Sequence, residues 1–311
     1  KRRTSSMINI KAVKEDIMYY RRKIILALLK TFNGKLSNSD LQNLLFLFAQ
    51  RQLKPSFDFL PFRSGCHSPQ ANQDLKTMIK YNMVKEEADD WILADTKNYI
   101  QSLNKKDQQD LPSFASEYSD LRGVPLMRYV YKKYPFYAIK SEYAESILSS
   151  EEMAAVNSVR PRNAEPALFT VGYEGKSVEQ YVTQLIKEDI KILCDIRKNP
   201  MSMKFGFSKS QLKGILEGAG IDYVHIPGLG IDSGKRQNLK TQNDYEKLFA
   251  EYEKTTLIQN KSDLAELANL FRKNGRIALT CFESDHHSCH RSRTANALHP
   301  LLPKNTPLVH L

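Results

Sequence analysis

From residue 167 onward, apolar runs of strand length alternate with stretches of helical period, and this constrains the chain more than any other feature. The runs are Leu168–Val171, Ile190–Cys194, Tyr223–Ile226 and Arg276–Phe282, with a last one near Leu308-Val309. Between them lie helical stretches over 177–188 and from Ser208 to Gly218 or Gly220. A Ser262-capped helix carries Leu264, Leu267, Leu270 and Phe271 inward and closes at Gly275, and a short helix follows Cys289. Strands that alternate with helices predict an α/β domain with a mainly parallel sheet over residues 167–311.

The N-terminal half reads differently. A helix is expected over 11–31, with Ile24, Ile25, Leu28 and Leu29 on one side. A second is capped by Ser39 or Asp40, with Leu41, Leu44, Leu45 and Phe48 at i, i+3, i+4, i+7. An irregular stretch from Pro55 to Pro69 precedes a third helix carrying Leu75, Met78 and Ile79. Two short runs around the acidic tip Glu86-Glu87-Ala88-Asp89-Asp90 then suit a β-hairpin. Helix, helix, helix, hairpin is the order of a winged helix, so a mostly α, winged-helix-like domain is expected over 1–148. Residues 149–166, with Pro161 and Pro166, read as a linker.

The net charge of +11, larger in the N-terminal half, favours acidic partners, and nucleic acid, with DNA preferred, is the expected one. Residues 121–143 interleave bases and aromatics, which makes Arg122, Arg128, Lys132, Lys133 and Lys140 the expected nucleic-acid contacts. The alternative is an amphipathic helix that uses its tyrosines to dock two domains. The four cysteines, Cys66, Cys194, Cys281 and Cys289, form no CxxC and suggest no disulfide framework. No apolar run approaches the roughly 20 residues that span a bilayer, and Lys1-Arg2-Arg3 is not followed by an apolar signal region. A cytoplasmic protein with no membrane partner is therefore expected.

In an open parallel sheet, ligands bind beyond the carboxyl ends of the strands. Those ends carry Tyr173 and Glu174, then Asp195, Arg197 and Ser202, then His225, then Cys281, Glu283 and Cys289-His290-Arg291. Asp195 and Arg197 share one face of an extended segment. Either they form a salt bridge that orients the loop, or Arg197 grips phosphate while Asp195 serves as acid, base or ribose ligand. Glu283 has the chemistry of a general base or a glycosyl nucleophile. Cys289 opens a helix whose amides favour anions and thiolates, and Arg291 adds a fixed charge. The expected catalytic residues are Asp195, Glu283 and Cys289. Tyr173, Arg197, Ser202, His225, His290 and Arg291 are the expected substrate or phosphate contacts. Zinc on Cys281, His286, His287, Cys289 and His290 is the competing reading. The Cys-x(7)-Cys spacing matches no standard structural site, so neither a metal nor a cofactor is expected.

Two resemblances bear on these readings. Thr170-Val171-Gly172-Tyr173, Asp195-Ile196-Arg197-Lys198-Asn199-Pro200-Met201-Ser202, Tyr223-Val224-His225-Ile226-Pro227-Gly228-Leu229-Gly230, and Leu279-Thr280-Cys281-Phe282-Glu283 with Cys289-His290-Arg291 occur in that order. Together they resemble the domain-of-unknown-function family numbered 488, which implies an α/β domain with these motifs around one cleft. Asn43-Leu44-Leu45-Phe46-Leu47 and Asp58-Phe59-Leu60-Pro61-Phe62-Arg63-Ser64-Gly65 resemble SocA-like, Panacea-type winged-helix domains, some of which bind proteins rather than DNA.

The function expected from these features is an enzyme acting on DNA or nucleotides by N-glycosidic cleavage or hydrolysis. By fold-level analogy it would serve DNA processing or phage defence. The alternatives are a non-catalytic regulator binding DNA and a nucleotide-like ligand, and a toxin–antitoxin-type interaction module.

Overall fold

The computed structural model describes residues 18–236, 239 and 241–311. They form two compact units. One comprises the residues up to Phe59 with Cys66–Lys133, and the other Leu60–Gly65 with Tyr134–Leu311.

In the first unit the helix expected over 11–31 runs from Tyr20 to Thr31, with Tyr19 as its N-cap and Met18 outside it, and residues 11–17 lie outside the described residues. Ile24 to Leu29 are all buried there. Strand β1, Lys35–Ser37, leads into the Asn38–Ala49 helix, whose N-cap Ser37 accepts a hydrogen bond from the Asp40 amide. The Pro69–Ile79 helix is capped by Ser68. The stretch expected to be irregular holds two three-residue strands, β2 (Leu60–Phe62) and β3 (Gly65–His67). The hairpin β4 (Val84–Glu87) and β5 (Asp90–Leu93) turns at Ala88-Asp89, and β1 pairs antiparallel with β5 in the order β1-β5-β4. The small sheet is thus three-stranded. The expected winged-helix order is present, with β1 added between its first two helices.

The parallel sheet of the second unit has five strands: β6 (Ala167–Gly172), β7 (Ile192–Asp195), β8 (Asp222–His225), β9 (Arg276–Cys281) and β10 (Leu308–His310). All pairings are parallel, in the order β10-β6-β9-β7-β8. Every residue of β6, β7 and β9 is buried. Parallel strands covered on both faces read as near-continuous apolar runs, which is the pattern seen in the sequence. Ile192, Cys194, Ile277 and Leu279 join Leu264, Leu267 and Phe271 of the Lys261–Asn274 helix in one core.

Residues 149–166 contain a helix, Ser150–Ser158, started by a capping box in which Ser149 and Glu152 exchange side-chain and backbone bonds. The short segment Leu60–Gly65 packs with the second unit. The Arg63 amide donates to the Gly218 carbonyl (2.9 Å), and a Cβ on Gly218 would lie 1.8 Å from the Phe62 ring. Among the described residues, no helix is long and apolar enough to cross a membrane.

Candidate active site at the carboxyl edge of the parallel sheet

Register brings four strand ends to one edge. Gly172 lies opposite Cys281, and Asp195 lies opposite both Thr280 and His225. After β7 the chain turns outward to β8, whereas after β9 it crosses to the far edge at β10. Loops leaving β7 and β9 therefore part, which opens a crevice of the kind where α/β sheets bind ligands.

Asp195 and Arg197 form the most buried ionic contact of this edge. Arg197 Nε donates to Asp195 Oδ1 (2.8 Å) and Nη2 to Oδ2 (2.5 Å), and Tyr223 donates its hydroxyl to Oδ2 (2.7 Å). Arg197 Nη1 donates to the Tyr173 hydroxyl (2.8 Å) and to the Phe207 carbonyl (2.9 Å). Asp195 is wholly buried and Arg197 is 6% exposed. Burial opposes the Arg197 charge, and the bond and charge of Asp195 outweigh it, so the guanidinium is held above its ordinary pKa. Of the two readings of this pair, the observed geometry is the salt bridge that orients the loop. The Tyr173 ring lies flat on Phe207 (4.2 Å between centroids) and completes the brace. His225 serves the same backbone, its Nε2 lying 2.9 Å from the Arg197 carbonyl oxygen.

Ser202 closes the loop after β7. Its amide donates to Ser208 Oγ (3.2 Å), and Ser208 Oγ donates to the Ser202 carbonyl (3.0 Å). Gly230 makes the neighbouring turn fit, because a Cβ there would stand 2.1 Å from the Lys198 nitrogen.

The loop after β9 is held by its backbone. Arg291, fully buried, donates from Nη1 to the Glu283 carbonyl and from Nη2 to the Ser284 carbonyl (2.8 Å). Its Nε has no hydrogen-bond partner among the described residues. The Glu174 carboxylate accepts from the Ser284 amide (3.0 Å), and the Phe282 carbonyl accepts from the Tyr173 and Glu174 amides. This close approach requires glycine at 172, where a Cβ would sit 1.8 Å from the Glu283 oxygen. Gly172→Ala must displace that loop. It is expected to cost at least about 1–3 kcal/mol, the range for overpacking, read as a lowered midpoint in chemical denaturation. A wild-type midpoint would contradict the packing described.

Between the β7 and β9 loops lies a pocket of ≈ 470 Å³. Its walls include Tyr173, Phe282, Lys198, Asn199, Ser202 and Cys281, together with the edge of Arg197, and Met201 and Met203 stand exposed at its rim. Tyr173, Arg197 and Ser202 of the expected contacts thus line it. Asp195, His225, Glu283, Cys289, His290 and Arg291 are not among its walls. Lys198 and Asn199 fall inside the Asp195–Ser202 motif. Phe282 and Asp232, also on the wall, carry no signal that singles them out in the sequence.

Behind Cys281 the remaining groups converge. Cys281 Sγ lies 3.2 Å from Glu283 Oε2 and 3.6 Å from His290 Nδ1, and Cys289 Sγ lies 4.0 Å from that same nitrogen. Both cysteines and His290 are at most 1% exposed. Burial first, and then the hydrogen bond with Cys281, push the Cys289 thiol well above its ordinary pKa. A thiol so placed does not have the depressed pKa that a helix-terminal nucleophile needs. His286 stacks on His310 (3.8 Å) and lies beside His287 (4.0 Å), apart from this cluster.

A second cleft of the same unit, ≈ 490 Å³, is basic. Lys140, Arg160, Arg162 and Lys191 line it with Asp189. Burial, and then the Lys191 charge, lower the Lys140 pKa. In the other unit, Arg128, Lys132 and Lys133 are exposed on the Gly123–Lys133 helix. The aromatics of that helix turn inward, with Tyr131 fully buried and Tyr129 edge-on to Tyr118 (5.5 Å). Arg122 donates to the Tyr118 (2.8 Å) and Leu121 carbonyls and covers the Phe32 ring (4.5 Å), so it serves the fold.

Fold and site define an α/β domain with a parallel five-stranded sheet, a braced pocket at its carboxyl edge and a buried Cys-Cys-His group behind the pocket wall. Residues 177–298 match the family model described as Domain of unknown function DUF488, the family that the four motifs resemble. The match takes in β7, β8, β9 and the His290–Leu298 helix, so the pocket loops after β7 and β9 both fall within it. No curated protein matches the chain.

Proposed function

We propose that the C-terminal domain is a hydrolytic enzyme acting on nucleic acid or nucleotides, with Glu283 as its acid–base or nucleophilic carboxylate. The observation that carries this reading is the pocket. It offers the exposed ring of Phe282 beside the buried Tyr173 and the polar groups of Lys198, Asn199 and Ser202, and the Glu283 carboxylate stands 3.2 Å from the wall residue Cys281. Aromatic faces with a few polar groups suit a nucleobase and its sugar. Asp195 is committed to Arg197, so the chemistry falls to Glu283 and not to an Asp195–Glu283 pair. N-glycosidic cleavage is the reaction favoured, and DNA processing or defence is the role it would serve in a cytoplasmic protein.

The basic cleft of Lys140, Arg160 and Arg162 supports a polyanionic substrate. Each phosphate neutralised on duplex DNA contributes about 0.9 to the slope of log affinity against log salt. Replacing these three residues by alanine should weaken binding of a duplex oligonucleotide and flatten that slope by up to about 3. An unchanged slope would remove the cleft from the interface. The same comparison with Arg128, Lys132 and Lys133 tests the helical stripe.

A non-catalytic regulator that senses a nucleotide-like ligand is the second reading. It is favoured by the commitment of Asp195 to Arg197, which leaves no Asp195–Glu283 carboxylate pair to act at the pocket. Turnover of any nucleic-acid or nucleotide substrate by the intact chain decides between the two.

A further inference from the structure

The thiols of Cys281 and Cys289 and the imidazole of His290 come from three backbone positions, a strand end, a helix N-cap and the first helical residue. Their donor atoms all lie within 4.8 Å of one another, and all three residues are buried. We propose that these three side chains bind a single zinc-type divalent metal ion, with a fourth coordination position left to water or substrate.

Distances carry the argument. Around a tetrahedral zinc with metal–sulfur bonds near 2.3 Å and metal–nitrogen bonds near 2.0 Å, sulfur and nitrogen stand about 3.5 Å apart. Here the two sulfur–nitrogen separations are 3.6 Å and 4.0 Å. Both separations are within about half an ångström of that spacing, and all three donor atoms lie within 4.8 Å of one another. Two sulfurs and one imidazole are a soft donor set, which selects zinc over magnesium or calcium.

The surroundings orient the donors as a metal site requires. His290 Nε2 lies 3.3 Å from the Ile196 carbonyl oxygen, which can only accept. That contact places the ring proton on Nε2 and leaves the Nδ1 lone pair facing both sulfurs. Tyr252 packs edge-on against the imidazole (5.6 Å) and is fixed by its own hydroxyl, which donates to the Leu229 carbonyl (2.6 Å). The seven residues between the cysteines double back because Arg291 grips two of their carbonyls, so a loop length foreign to structural zinc sites still brings both sulfurs to one point. Three protein ligands and one open position are the pattern of reactive, not structural, zinc. The Glu283 carboxylate lies beside the group, its Oε2 3.2 Å from Cys281 Sγ. The inference concerns the ligands alone and stands whether or not the pocket turns over nucleic acid.

The test is a cobalt titration of the full chain, reduced and freed of metal by a chelator. The expected result is uptake of one equivalent, with a sulfur-to-cobalt charge-transfer absorption that zinc abolishes. Cys289→Ser and His290→Ala should each weaken uptake at least tenfold, whereas Cys66→Ser should leave it unchanged. The wild-type titration needs no variant, so the proposal remains testable if a substituted chain fails to fold. Absence of stoichiometric cobalt uptake by the folded wild-type chain would overturn it. So would cobalt uptake of unchanged affinity in both Cys289→Ser and His290→Ala.

Discussion

Arg197→Ala is expected to destabilise the chain by about 3–5 kcal/mol, the scale for removing one partner of a buried ion pair. The loss has three parts. Asp195, wholly buried, would keep only the Tyr223 hydroxyl and the residue 197 amide as donors. The Phe207 carbonyl and the Tyr173 hydroxyl would lose their shared donor. The stacked Tyr173–Phe207 pair would face the space left by the guanidinium. Arg197→Lys should recover little, because an ammonium cannot reproduce the two-pronged contact with a carboxylate. Replacing both residues together, Asp195→Leu with Arg197→Met, should cost much less than Arg197→Ala alone, since no uncompensated charge is left behind. Guanidinium denaturation of the three variants measures this. A cost below about 1 kcal/mol for Arg197→Ala would mean that the pair is not the brace described.

Much of the parallel sheet was legible in the sequence for a physical reason. Strands covered on both faces are near-continuously apolar, and β6 and β9 announce themselves as runs, interrupted by Thr170 and Thr280, that end at Gly172 and at the polar stretch after Cys281. The short strand β1 was not legible. Lys35-Leu36-Ser37 has no pattern of its own and becomes a strand only because β5 pairs with it. The Ser150–Ser158 helix was signalled by Ser149 and Glu152 at capping-box spacing, a signal outweighed by the flanking prolines. At the site, spacing identified which residues gather at the sheet edge but not what each one faces. The role of Arg197 is set by Tyr173 and Phe207, which lie 24 and 10 residues away. The Cys-x(7)-Cys spacing gives no sign that Cys281 and Cys289 meet at His290, because local spacing rules assume a short loop. Arg291 folds a longer one, and that contact has no signature in the sequence.

Glu283→Gln tests the central claim most directly. The change keeps the size of the side chain and an oxygen acceptor near Cys281, and it removes the charge and the basicity. The chain, purified without chelator, is to be incubated with single-stranded and duplex DNA and RNA oligonucleotides and with free nucleosides and nucleotides, and the products identified by mass spectrometry. The wild-type chain should convert one of these classes. Glu283→Gln should bind that substrate about as tightly while turnover at saturation falls by about 10²-fold or more, the scale for losing a positioned acid–base group. Turnover by Glu283→Gln at the wild-type rate, or tight binding of a nucleotide by the wild-type chain with none of the panel converted, would contradict the account.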